Sequence, residues 1–158
     1  MKFMTLEKGD TAEDFELLGN DGNSVILSSF KDSKNVVLCF YPKNHLFACP
    51  SKKVFEMAKS VISVYPEIIA TETVVFAISV DSVNSQSEFV NEYEIPYVHL
   101  SDPKKIACKK YAGTNFTGLA KRSTFIIAKN GIILDVMREI NVASHGQEIL
   151  DFLKKIKV

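Results

Sequence analysis

The chain lacks net charge, because nineteen Lys and Arg side chains balance nineteen Asp and Glu across 158 residues. No overall field draws it to nucleic acid or to an anionic membrane, so any partner must be selected locally. No apolar run approaches the roughly 18 residues of a membrane span, and the N-terminal Met1-Lys2-Phe3-Met4-Thr5-Leu6-Glu7 has no apolar stretch of the secretory kind. A cytoplasmic protein is expected, or one in an organelle lumen after loss of a presequence. Cysteine is scarce as well. Cys39, Cys49 and Cys108 are too few and too odd in number for a disulfide framework, and a reducing compartment suits them. The absence of a Cys-x-x-Cys pair argues against a thioredoxin-type dithiol oxidoreductase. His45, His99 and His145 are scattered, so zinc-ligand spacing is missing and no metal is expected. Any redox chemistry has to start from one thiol.

What is present reads as one domain over residues 1–158, since 46% hydrophobic content suffices for one substantial core. Phe15, Leu17, Val25 and Leu27 alternate around Gly19-Asn20-Asp21-Gly22 and predict an N-terminal β-hairpin. Val36 to Tyr41 predicts a strand buried on both faces and ended by Pro42. Apolar residues at 54, 58, 61 and 65, with Phe55 and Ile62 beside them, predict a helix from Pro50 to Tyr65. A second strand follows over 74–80, then a helix opening at Asp81-Ser82. Strand, helix, strand, helix implies parallel pairing. Tyr97 to Leu100 is expected to form a short edge strand, and Asp102-Pro103 to cap a helix over Lys104–Tyr111 that contains Cys108. Asn130-Gly131 between Thr124–Ala128 and Ile132–Val136 predicts an antiparallel hairpin with positive φ at both turn residues. Ser144 to Gln147 has capping-box spacing before a terminal helix whose stripe is Ile149, Phe152, Leu153 and Ile156. The fold class is α/β, a mixed central sheet with helices on both faces.

Cys49 is the most informative residue. It stands between the first buried strand and the helix opening at Pro50, and proline is favoured at a first helical position. That leaves Cys49 at or beside the N-cap, where unpaired amides and the positive helix end lower a thiol's pKa. The competing reading is an apolar packing cysteine, the commoner use of the residue.

The stretch from Phe40 to Ser51, Phe-Tyr-Pro-Lys-Asn-His-Leu-Phe-Ala-Cys-Pro-Ser, resembles the active-site loop of the peroxiredoxins. Gly9 to Leu17 is similar to that family's N-terminal signature, with Glu13 in place of a proline, and Leu100-Ser101-Asp102, Arg122 to Ile127 and Asn130-Gly131 follow in the family's order. Length and the Tyr-Pro-Lys sequence resemble the bacterioferritin comigratory protein, or peroxiredoxin Q, branch, whereas Phe-x-Cys-Pro is like the typical two-cysteine branch. The resemblance implies a thioredoxin-like fold, a thiol-dependent peroxidase with no cofactor, and a peroxide substrate. Cys49 would be the peroxidatic thiolate, with the Ala48 and Cys49 amides holding peroxide oxygens. Arg122 would hold thiolate and peroxide through its forked donors. Pro42 would shield the thiolate from water. The reductant would be thioredoxin, glutaredoxin or a small thiol, and the assembly a monomer or homodimer.

Several departures from the family pattern bear on function. Leu46 replaces the hydroxyl residue three positions before the cysteine and cannot hydrogen-bond peroxide, with neighbouring His45 a candidate substitute donor. Lys52 replaces an acidic residue, which adds positive charge near the thiolate or is simply solvated on its helix. Val54 occupies the position of the branch's usual second cysteine, and the next helix offers Ser82, Ser85 and Ser87 instead. Cys39 falls in a core strand. Cys108 remains the candidate resolving thiol, and a one-cysteine cycle with an external thiol is the expectation. The alternatives are an attenuated relative that acts as a redox sensor or interaction protein because of Leu46, and a structural domain with an ordinary Cys49 thiol.

Overall fold

The computed structural model describes residues 5–44 and 50–156. Seven strands form one sheet: β1 (Glu16–Gly19), β2 (Ser24–Ile26), β3 (Asn35–Phe40), β4 (Thr73–Ser79), β5 (Val98–Ser101), β6 (Ser123–Ile127) and β7 (Ile133–Met137), in the spatial order β2-β1-β5-β4-β3-β6-β7. The helices are α1 (Pro50–Ile69), α2 (Val83–Tyr93) and α3 (His145–Ile156). β3, β4 and β5 run parallel, as two strand–helix crossovers require, and both flanks of this trio are antiparallel.

Alternation along the strands separates two cores. Val37, Cys39 and Tyr41 face one side with Val75, Ala77 and Ile126, where α1, α2 and α3 cover them through Val61, Ile68, Phe89 and Ile149. Val36, Leu38 and Phe40 face the other side with Phe76, Ile78 and Phe125. That side is closed by the N-terminal segment, a helical turn at Leu27–Phe30 and the short helical run 106–112, of which Cys108, Tyr111 and Ala112 are buried. Helices thus lie on both faces, three long ones on one and short turns on the other. α3 meets α1 at Gly146, where any Cβ would run into the Ser60 backbone carbonyl, and the Gly146 amide donates to Ser60 Oγ (2.8 Å).

Several expected boundaries move, each for a local reason. α1 continues past Tyr65 through Pro66, which gives up one N–H bond while its own carbonyl accepts from Ala70 N (3.2 Å). Full burial of Ile68, worth about 1.5–3 kcal/mol, rewards the extra turn. β5 is no edge strand, because the N-terminal hairpin adds β1 to its outer side. Lys105 takes a left-handed conformation (φ 61°) and confines the expected Lys104–Tyr111 helix to 106–112, mostly a π-helical turn. Asp102 still caps it, with Oδ1 accepting from Ile106 N and Oδ2 from Cys108 N, both at 2.8 Å. In the β6–β7 turn only Gly131 has positive φ (86°), and Gly131 N donates to Ala128 O, so this is a longer turn than the two-residue loop expected. Ser144 Oγ donates to Glu148 (2.7 Å), not to Gln147, whose amide turns to Asp151 instead.

Candidate active site

The parallel order carries the C-terminal ends of β3, β4 and β5 to one end of the sheet, and β6 starts there opposite Phe40. Tyr41 and Pro42 leave β3 at this end, and α1 returns from it at Pro50. Cys49, Ala48, Leu46 and His45 lie outside the described residues, as do the side chains of Pro50 to Lys52.

Arg122 enters from the residue before β6 and is half-buried. Its Nη1 donates to Met57 Sδ (3.2 Å) on α1, and this is its one hydrogen-bond partner among the described residues. A thioether is a weak acceptor. Among the described residues most of the fork is therefore uncommitted beside the helix that begins one residue after Cys49. Burial lowers the guanidinium's pKa, the nearby Tyr41 phenol opposes that shift, and the group stays charged.

Behind Pro42 lies a buried polar network that sequence reading missed. Tyr41 OH contacts Asn44 Oδ1 (2.5 Å), Gln86 Oε1 (2.9 Å) and His99 Nδ1 (3.0 Å). Asn44 N donates to Asp81 Oδ2 (3.0 Å), and Asn44 Nδ2 donates to Ser85 Oγ (3.1 Å) and Gln86 Oε1 (2.9 Å). Gln86 Nε2 in turn donates to Ser79 Oγ (3.0 Å) and Leu100 O (2.8 Å). Gln86 Oε1 accepts from both Asn44 and Tyr41, and the direction of the Tyr41–His99 bond follows the His99 tautomer. The network pins Asn44, the last described residue before the cysteine loop, to the start of α2. The only local hint of it was a cluster of amides and hydroxyls ahead of apolar helix positions.

On the other side of Arg122, Thr124 Oγ1 meets His145 Nε2 at 2.7 Å. Among the described residues, His145 Nδ1 and His99 Nε2 are buried without a hydrogen-bond partner. Burial lowers the His99 pKa to about 3. It lowers that of His145 to about 4, aided by Arg122 and opposed by Glu148. Neither imidazole is a proton carrier near neutral pH.

The two other cysteines are sealed. Cys39 is 3% exposed beneath α1, and burial pushes its thiol up to about 12 against a hydrogen bond with Thr124. Cys108 is 0% exposed on the opposite sheet face, its thiol raised by burial and then by the Asp102 carboxylate. Val54, in the second-cysteine position, packs in the core with Cys39. Among the described residues no group of three or more His, Cys, Asp or Glu is placed to hold a metal ion.

Known proteins agree with this arrangement. Residues 8–136 match the AhpC/TSA family. The chain is 32% identical to the peroxiredoxin Bcp of Bacillus subtilis over 96% of its own length and 97% of the relative's. It is 30% identical to the chloroplastic peroxiredoxin Q of Sedum lineare, covering 98% of this chain and 82% of that protein. The crystal structure of peroxidoxin BcpB from Mycobacterium tuberculosis superposes with a TM-score of 0.85 at 27% identity, over 97% of this chain and 99% of that one. The sheet order, the arginine beside α1 and these likenesses place the chain in the AhpC/TSA family of thiol-dependent peroxidases, within its Bcp/peroxiredoxin Q branch.

Proposed function

We propose that the chain works as a single domain over residues 1–158 and reduces hydrogen peroxide or an alkyl hydroperoxide through Cys49. The thiolate attacks one peroxide oxygen, the O–O bond breaks, and the leaving oxygen departs as water or alcohol after taking a proton. Cys49 becomes a sulfenic acid. The observation that carries this reading is Arg122, a half-buried cation beside α1 with one weak acceptor for its donors among the described residues. Such a group suits an anion, first the thiolate and then the developing charge on peroxide. Pro42, half-buried at the end of β3, shields that reaction, and the Ala48 and Cys49 amides complete the peroxide contacts.

The burial and raised thiol pKa values of Cys39 and Cys108 support a one-cysteine cycle, since disulfide exchange needs access and thiolate. The electrons then come from thioredoxin, glutaredoxin or a small thiol. Two reduced, buried cysteines suit a cytoplasmic setting, and no described helix is long and apolar enough to cross a membrane. A second reading, attenuation to a redox sensor, rests on Leu46.

Stopped-flow oxidation by one equivalent of hydrogen peroxide, with mass spectrometry of the product, separates the two. The expected result is rapid sulfenic acid at Cys49, absent in Cys49→Ser and retained in Cys39→Ser and Cys108→Ser. Oxidation of the natural chain no faster than a free thiol, accelerated about 10²-fold by Leu46→Thr, as for restoring an oriented donor, would favour the sensor. Slow oxidation in both would sink the peroxidase.

A further inference from the structure

The positive charge of this neutral chain is not evenly spread. Lys104, Lys105, Lys109, Lys110 and Lys121 line one groove, together with a single acid, Glu13. Glu13 is committed to Lys110 (3.1 Å), and the other four lysines have no ion pair among the described residues. None of the residues outside the described ones has an acidic side chain that could neutralise them. The groove also has an apolar flank. Ile106 is 54% exposed, and Phe116 is 102% exposed on the loop whose base, Gly113, Thr114 and Lys121, forms the groove wall.

That loop is built rather than loose. Thr114 bridges Ala120, and Asn115 Oδ1 accepts from Thr117 N (2.9 Å), Thr117 Oγ1 (2.6 Å) and Leu119 N (3.1 Å). Gly118 rests against Lys105, where any Cβ would strike the ammonium group. A rigid loop that presents a whole phenyl ring to water spends hydrophobic free energy for no gain within the fold.

The groove's position supplies a role. Segment 102–112 leaves the sheet at the end of β5, the same end at which 41–44 leaves β3, and Lys121 directly precedes Arg122. We propose that this lysine groove with Phe116 is the docking surface for the reducing partner, an acidic dithiol protein with an apolar patch beside its reactive cysteine. This rests on the peroxidase reading above. Charge complementarity would speed encounter at the end of the sheet from which the chain enters α1, and the exposed aromatic would anchor the contact. A nucleic-acid strand fits less well, because the lysines cluster around one short helical run and offer a single stacking ring.

The chemistry balances with no further reagent. One partner thiol displaces the sulfenic oxygen of Cys49 as water and forms a mixed disulfide. The second partner thiol attacks its neighbour's sulfur, releasing the Cys49 thiolate and leaving the partner as a disulfide. Two electrons pass from partner to Cys49.

The test separates the two half-reactions of the full chain. Lys104→Glu/Lys109→Glu and Phe116→Ala are compared with the natural chain, first for oxidation by hydrogen peroxide, then for reduction of the oxidised form by a thioredoxin of net negative charge and by dithiothreitol. The double charge reversal is expected to slow thioredoxin about tenfold or more, within the range of electrostatic steering. The dithiothreitol rate should hold. The natural chain's thioredoxin rate should fall as added salt shortens the Debye length from about 30 to about 8 Å, and Phe116→Ala should weaken thioredoxin use without changing that salt slope. An unchanged thioredoxin rate in the charge-reversed chain, or equal losses with dithiothreitol, overturns the docking surface alone. Failure of the natural chain to be oxidised at Cys49 overturns the peroxidase reading and the docking surface with it.

Discussion

Between pH 7.5 and pH 5 the folded chain is expected to lose roughly 4 kcal/mol of stability through two histidines alone. His99 and His145 are fully buried, each with one ring nitrogen unpartnered among the described residues, and burial holds their pKa values near 3 and 4. In the unfolded chain both return to about 6.5. Above that value neither state is protonated and there is no penalty. As pH falls below 6.5 the unfolded state takes up protons that the folded state refuses, so the stability present at neutral pH is progressively lost toward the folded pKa values. Each histidine contributes roughly 2 kcal/mol at pH 5, where most carboxylates have yet to titrate. The surroundings give neither ring a way out. His99 is packed by the rings of Tyr41, Phe89 and Tyr97, while His145 is held by Thr124 with Arg122 nearby. Urea midpoints at the two pH values measure the effect, and His145→Gln should remove about half of the slope. A midpoint that does not move between pH 7.5 and pH 5 contradicts the assignment of neutral buried rings.

These histidines also mark where sequence reading stopped. The strands were legible because β3 and β4 are continuous apolar runs, and their parallel pairing followed from the helix between them. The motifs that point to chemistry are linear ones, Cys49 before a helix-opening proline and Arg122 ahead of a strand, and the structure sets Arg122 against Met57 of α1. Whatever is assembled from distant segments was not legible. Nothing local distinguishes Asn44 from any turn asparagine. Its burial depends on Asp81, Ser85 and Gln86 from the far side of β4. His145 looked like one scattered histidine, yet the near contact of α3 with α1 at Gly146 brings it to Thr124. The misplaced edge strand has the same origin, since only docking of the N-terminal hairpin tells β5 that it is interior. Lys105 failed for the opposite reason. A local left-handed residue overrode an otherwise helical pattern that began with a good cap.

Replacing Arg122 by Met should cost the oxidation step about 10²- to 10³-fold, the range for losing a preorganised donor aimed at developing charge, while leaving thermal stability nearly unchanged. The two halves of that expectation come from one observation. Among the described residues Arg122 has a single weak partner, Met57 Sδ, and its desolvation is unfavourable for the charged form. Removing it strands no strong acceptor among the described residues, so the fold is expected to lose little and to regain the desolvation cost. An arginine kept for stability would behave the other way, leaving an orphaned carboxylate or carbonyl behind. The thiol should respond as well. On the proposed role of Arg122, removing the cation takes from Cys49 a group that favours its thiolate, so the thiol pKa is expected to rise and alkylation by iodoacetamide to shift to higher pH. Arg122→Lys separates charge from geometry. A lysine restores a positive charge but not the planar fork, so it should recover most of the thiol pKa and only part of the peroxide rate. If Arg122→Met lowers the unfolding midpoint sharply while the pH profile of alkylation stays in place, the residue is a structural brace. A shifted profile with an unshifted midpoint assigns it to the thiolate and its peroxide.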